Sequence, residues 1–384
     1  MLYWSIKSIQ TLKIQFLIFA FFSLTQLVLG QKFQDTIPFR NDLGLIIIPV
    51  SFNGIEKQFA FDTGAEYSVA YDWANIELKK TNKTINIVSS SGLSTKMRFY
   101  KSGTINIGSR KITGHRILNT ARNEIFSCHN IDGILGVDII KELNWKIDFK
   151  QKLLVMYPSD YMPNDLDSMH ELDFNFTRNH PYVYMQRKGN RFKFLLDTGA
   201  GKSSNISQKD YNLTNIDDFP QVEVYSGNYD VNGLFTATKP KVFQFPESSS
   251  KNVKISPIIY YNNQKSSKIG NNLWEGLSLF LSLKKNQLYV SSSEIEEVYN
   301  SYPCYVSYHK GVMRIMSIVK GSAIWNLGVR QGDEVLRYNE RQFEDFCSLD
   351  QYQRQLTKSE EPVTIELKSG IKVTVSKSEN LKIK

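Results

Sequence analysis

The strongest constraint on this chain is an internal repeat. Asn53-Gly54 precedes Phe59-Ala60-Phe61-Asp62-Thr63-Gly64-Ala65, and Lys188-Gly189 precedes Phe194-Leu195-Leu196-Asp197-Thr198-Gly199-Ala200, with turn and motif both displaced by 135 residues. The same displacement carries Gly92, in the turn-like Ser89-Ser90-Ser91-Gly92-Leu93, onto Gly227. Further on, Ile134-Leu135-Gly136 and residues 145–150 parallel Lys268-Ile269-Gly270 and residues 279–284 at an offset of 134. A repeat of this length means two similar folded units. They occupy about 37–158 and 170–291, joined by a polar, proline-bearing segment. Both consist of short β-branched and aromatic runs punctuated by Gly, Asn and Ser, which reads as strands and turns.

Each unit sets Asp-Thr-Gly-Ala directly after an apolar strand. A carboxylate at the end of a buried strand is costly to desolvate unless something satisfies it. Glycine allows a sharp backbone turn there, and the threonine hydroxyl can hydrogen-bond within it. Two such turns facing each other across a pseudo-two-fold axis would bring Asp62 and Asp197 together. Adjacent carboxylates cannot both ionise easily, so one keeps a proton. The ionised member can then take a proton from water while the protonated member polarises a carbonyl. Peptide-bond hydrolysis without metal or covalent intermediate is the natural chemistry, and no cofactor is expected.

The paired Asp-Thr-Gly-Ala motifs, each followed some 70 residues later by a short apolar run ending in glycine, resemble the retropepsin and pepsin-like aspartic proteases over roughly residues 37–291. The resemblance implies a mainly β fold, with two acid-protease-like barrel halves forming one bilobal, monomeric unit. It implies that Asp62 and Asp197 are catalytic, that Thr63, Gly64, Thr198 and Gly199 support the catalytic turns, and that Gly92 and Gly227 are flap tips that hold a peptide or protein substrate. Three features depart from the family: Glu66, Gly201-Lys202, and Lys268 where an apolar residue is expected. A lysine close to the second aspartate would shift the pair's titration. The alternative is a non-catalytic, protease-like scaffold that binds peptides or protein C-termini.

Residues 302–384 form a third unit. Ser322 can start a helix in which Ala323, Ile324 and Leu327 lie at one-turn spacing, Gly328 can close it, and Gly332-Asp333 can turn into a strand. The run from Gly321 to Leu336 resembles a bacterial, protease-associated PDZ domain, a small α+β module whose relatives take up peptides as an added strand, often by the free C-terminus. Tyr302-Pro303-Cys304-Tyr305-Val306 and His309-Lys310-Gly311-Val312 are the candidate ligand loops.

Residues 1–30 place Lys7 and Lys13 before an apolar block and end in small residues ahead of Gln31-Lys32, the pattern of a signal peptide. The mature protein is therefore expected to be exported, whether periplasmic, cell-surface or secreted, with membrane attachment only if the leader stays uncleaved. The net charge of +9 comes from scattered lysines and arginines without basic runs, which argues against nucleic-acid binding. Cys128, Cys304 and Cys347 are an odd number and widely spaced, and they signal neither a disulfide framework nor a metal site. The five histidines lack metal-ligand spacing, so no metal is expected.

Overall fold

The computed structural model describes residues 34–88, 94–121, 124–201, 204–215, 220–229, 235–299, 301–309, 311–357 and 361–377, and it is mainly β. The leader and Gly92 lie outside the described residues.

Each repeat begins with a hairpin that delivers its aspartate. Leu45–Phe52 is almost continuously apolar and buried, as expected for a strand covered on both faces. It turns through Asn53-Gly54, both left-handed, into the antiparallel strand Ile55–Phe61. An Asn-Gly pair adopts this turn at little cost, and its twist matches that of the flanking strands. In the second repeat, His180–Arg187 turns through Lys188-Gly189, also left-handed, into Asn190–Leu196. Asp62 and Asp197 follow the two second strands directly.

A short parallel strand then joins each of these. Gly133–Leu135 pairs with Ile55–Phe61, setting Leu135 opposite Phe61. Ser267–Ile269 pairs with Asn190–Leu196, setting Ile269 opposite Leu196.

The halves share a six-stranded sheet. Leu143–Asp148 lies antiparallel to Ser278–Ser282, pairing Trp145 with Leu281, Lys146 with Phe280 and Ile147 with Leu279. Lys146 and Phe280 are 134 positions apart, the repeat offset, so the pseudo-two-fold axis passes between equivalent residues. One apolar cluster runs from Ile37 to Ile295 through both halves, with Trp145 and Trp274 fully enclosed.

Residues 304–375 enclose a second, separate cluster. The strands Cys304–His309 and Val312–Val319 form a hairpin, followed by helix Ala323–Asn326, strand Val335–Tyr338, helix Phe346–Thr357 and strands Val363–Leu367 and Lys372–Val375. Ser322 caps the first helix, its hydroxyl accepting from the Trp325 amide, and Gly328 follows in the left-handed region. Of the three residues at one-turn spacing, Ile324 is enclosed, whereas Ala323 and Leu327 face solvent. The helix has a single turn, too short to present a stripe; Ile324 is enclosed in the core and Trp325 packs partly buried against it. His309 and Val312, which end one of the two candidate ligand loops, are directly paired, and Lys310 lies outside the described residues.

Several contacts attach this unit to the rest. Strand Val312–Val319 pairs antiparallel with Gln221–Tyr229 of the second repeat, matching Val224 to Val319, Tyr225 to Ile318 and Ser226 to Ser317. The Tyr225 and Trp325 rings pack beside that seam at 4.9 Å. Cys128, at the end of the first repeat's helix Glu124–Cys128, forms a disulfide with Cys347 in helix Phe346–Thr357. This corrects the expectation of no disulfide: the partners are 219 residues apart in sequence, and only the fold brings their Cα atoms within 5.3 Å. Beside the disulfide, His129 Nε2 lies 2.9 Å from Asp350 Oδ2, both side chains nearly enclosed, and Arg354 donates to the same carboxylate at 2.6 Å. Burial works against the Asp350 charge, but His129 and Arg354 outweigh it and hold the carboxyl below its usual range.

Candidate active site

The two Asp-Thr-Gly turns meet face to face, and their contacts repeat across the pseudo-two-fold axis. The Asp62 amide donates to Leu135 O at 2.9 Å, and the Asp197 amide donates to Ile269 O at 3.0 Å. The Val137 amide donates to Ala65 O at 2.8 Å, and the Asn271 amide to Ala200 O at 2.9 Å. Ser68 Oγ accepts from the Gly136 amide at 2.9 Å, as Ser204 Oγ does from the Gly270 amide at 3.1 Å. The apolar-glycine segments thus hold the turns from behind.

The threonines lock the halves together instead of bonding within their own turns. The Thr63 amide donates to Thr198 Oγ1 at 2.9 Å, and the Thr198 amide donates to Thr63 Oγ1 at 3.1 Å. Each hydroxyl then donates to a carbonyl of the opposite strand: Thr63 to Leu196 O at 2.5 Å and Thr198 to Phe61 O at 2.7 Å. All four groups are buried, so the loss of one hydroxyl would orphan partners on the other half.

The glycines matter for space rather than for a turn conformation. Neither Gly64 nor Gly199 has a positive φ. A Cβ on Gly64 would lie 2.4 Å from Asp197 Oδ1, and a Cβ on Gly199 would lie 2.2 Å from the Asp62 carboxyl. Each glycine therefore backs onto the opposite aspartate, which places both carboxyls at one centre. Gly201 is equally constrained, because a Cβ there would sit 1.9 Å from Leu43 O in the N-terminal hairpin turn.

The two carboxyls differ in their surroundings. Asp62 Oδ1 accepts from the Gly64 amide at 2.8 Å and the Ala65 amide at 3.1 Å. Desolvation, and then the proximity of Asp197, nevertheless push its pKa from 3.8 up to about 7, with those amides and Lys268 pulling the other way. Asp197 Oδ1 accepts from the Gly199 amide at 3.1 Å, and its Oδ2 lies 3.1 Å from Lys268 Nζ. Tyr71, enclosed near Asp62, has its phenol pushed far up by burial and then by that carboxylate. Sequence reasoning missed Tyr71, since a tyrosine inside an apolar strand carries no distinguishing pattern.

The proposed flap tips are not seen as such. Gly92 falls outside the described residues, between Lys79–Val88 and Ser94–Lys101, which pair antiparallel with Val88 opposite Ser94. Gly227 is corrected: it lies within strand Gln221–Tyr229, opposite Ala237 of Phe235–Thr238. This hairpin extends beyond the glycine, so a constant offset aligned two glycines without aligning the strand ends.

Residues 48–139 match the aspartyl protease family model. The match spans the first repeat's Asp-Thr-Gly turn and the segment packed behind it, and it supports a protease-like function. No curated protein matches the chain.

Proposed function

We propose that this chain is an exported, single-chain aspartic endopeptidase, composed of halves at 37–158 and 170–291 and a PDZ-like peptide-binding unit at 302–384. The observation that carries the reading is reciprocal: each catalytic turn's glycine abuts the other turn's aspartate, and each threonine braces the other half. Neither half holds two carboxyls alone, so both repeats serve one centre.

The reaction needs the pair to share one proton. A water between the carboxyls gives a proton to the ionised aspartate as its oxygen adds to the peptide carbonyl carbon, and the protonated aspartate donates to the carbonyl oxygen. Collapse of the resulting diol breaks the C–N bond, and the departing nitrogen takes the proton held by the first aspartate. In this reading the strand pairs Lys79–Val88 with Ser94–Lys101 and Gln221–Tyr229 with Phe235–Thr238 cover a bound substrate strand. The apolar leader and the Cys128–Cys347 disulfide both fit an oxidising compartment outside the cytoplasm.

Incubation with an unfolded protein from acid to neutral pH tests the reading. Wild type should cleave it, and Asp62→Asn and Asp197→Asn should each abolish cleavage. The Lys268–Asp197 contact favours a second reading, a protease-like scaffold without turnover, under which the wild type would leave the substrate intact.

A further inference from the structure

One difference between the halves puts a charge next to the paired aspartates. Ile134 and Lys268 hold equivalent places: Ile134 is in register with Ala60, two residues before Asp62, and Lys268 with Leu195, two residues before Asp197. Ile134 is apolar and buried. Lys268 instead extends its ammonium to Asp197 Oδ2 at 3.1 Å, with the two side chains only 23% and 12% exposed. Asp62 receives the Gly64 and Ala65 amides in its place. Among the described residues, the charged or titratable groups that face Asp62 are Asp197, Lys268 and Tyr71, and Lys268 is the cation of the three.

We propose that Lys268 is a positioning residue that breaks the symmetry of the pair, placing the negative charge on Asp197 as general base and the proton on Asp62 as general acid. The inference rests on the endopeptidase reading and assigns its two roles. Asp197 removes the water proton, and Asp62 donates to the carbonyl oxygen. On collapse, Asp62 recovers a proton from the diol and Asp197 delivers its own to the leaving nitrogen, which restores the starting distribution. A symmetric pair can hold its proton on either member, whereas an ion pair on one side fixes the choice before substrate arrives.

The experiment compares wild type, Lys268→Ile, which copies the first half, and Lys268→Arg, which keeps the charge. Two readouts are taken on the full chain: the side-chain carboxyl 13C titration of Asp62, assigned by its disappearance in Asp62→Asn, and the pH profile of kcat/KM on an unfolded protein. Wild-type Asp62 should titrate near 7. Removing the nearby cation in Lys268→Ile should raise that midpoint by about half to one pH unit and shrink the amplitude of the Asp62 step there, because the shared proton is no longer confined to Asp62, and the basic limb of kcat/KM should move with the midpoint. Lys268→Arg should retain the wild-type values. An unmoved midpoint in Lys268→Ile, or an arginine variant that behaves like the isoleucine one, would overturn the proposal, and near-ultraviolet circular dichroism identifies a variant that has merely lost its fold. If wild type shows no cleavage sensitive to Asp62→Asn while the midpoint moves as expected, the endopeptidase reading fails and the charge assignment stands. Sensitive cleavage with an unmoved midpoint sinks the role of Lys268 alone.

Discussion

Asp62→Asn should do more than stop catalysis: it should stabilise the protein at neutral pH. The folded protein holds Asp62 with a pKa raised from 3.8 to about 7, first by desolvation and then by Asp197. Between these values the folded state binds more protons than the unfolded chain, so stability falls as pH rises and is lowest above 7. A shift of about three units at ~1.4 kcal/mol each gives a penalty on the order of 4 kcal/mol, fully expressed above pH 7 and absent below about pH 4. Asparagine has nearly the same shape and still offers an oxygen to the Gly64 and Ala65 amides, but it never ionises. The stability difference between variant and wild type should therefore grow with pH and level off above 7. Urea unfolding at half-unit pH steps, followed by tryptophan fluorescence, measures it, since Trp145 and Trp274 are enclosed in the core common to both halves. A difference that stays constant from pH 4 to 8 would show that Asp62 is not a costly buried charge, and the reasoning about the pair would fail with it.

Proteolysis should decline as pH rises through about 7, where Asp62 loses its proton, and pH-resolved initial rates will locate that limb. Thr198→Val leaves the Thr63 amide and Phe61 carbonyl unpaired in a buried place; chemical denaturation should register a loss of about 2–4 kcal/mol. Gly199→Ala drives a methyl into the Asp62 carboxyl, so cleavage should fall by orders of magnitude while the far-ultraviolet circular dichroism stays β-like. Cys347→Ser opens a link between residues 219 apart and should cost about 2–4 kcal/mol of stability to unfolding, read as a lower urea midpoint that reductant reproduces in the wild type.

What could be read in advance follows from how information is distributed along the chain. The repeat was legible because a buried strand, a tight Asn-Gly or Lys-Gly turn and an Asp-Thr-Gly turn all impose local residue choices, and these recur at one offset. That offset even anticipates the central sheet register, in which Lys146 faces Phe280. Local pattern cannot report a close approach between distant segments, which is why the Cys128–Cys347 link escaped notice and why Asp350, a residue without any motif, turned out to bind His129 and Arg354. Hairpin length is also poorly encoded, so Gly227 aligned with Gly92 yet sits in mid-strand. The lysine at 268 was visible as a departure from the pattern, but its aim at Asp197 needed three-dimensional placement.

The seam between Gln221–Tyr229 and Val312–Val319 gives the molecule unequal jaws. On the first repeat's side, strand Lys79–Val88 is the last in its sheet and, among the described residues, pairs on one edge only. Strand Gln221–Tyr229 pairs on one edge with its own repeat and on the other with the C-terminal unit. To lift it, the protein must either unzip that seam or carry the whole C-terminal unit along, and the Cys128–Cys347 bolt anchors the unit to the opposite half. The two hairpins therefore differ in how many parts of the chain hold them.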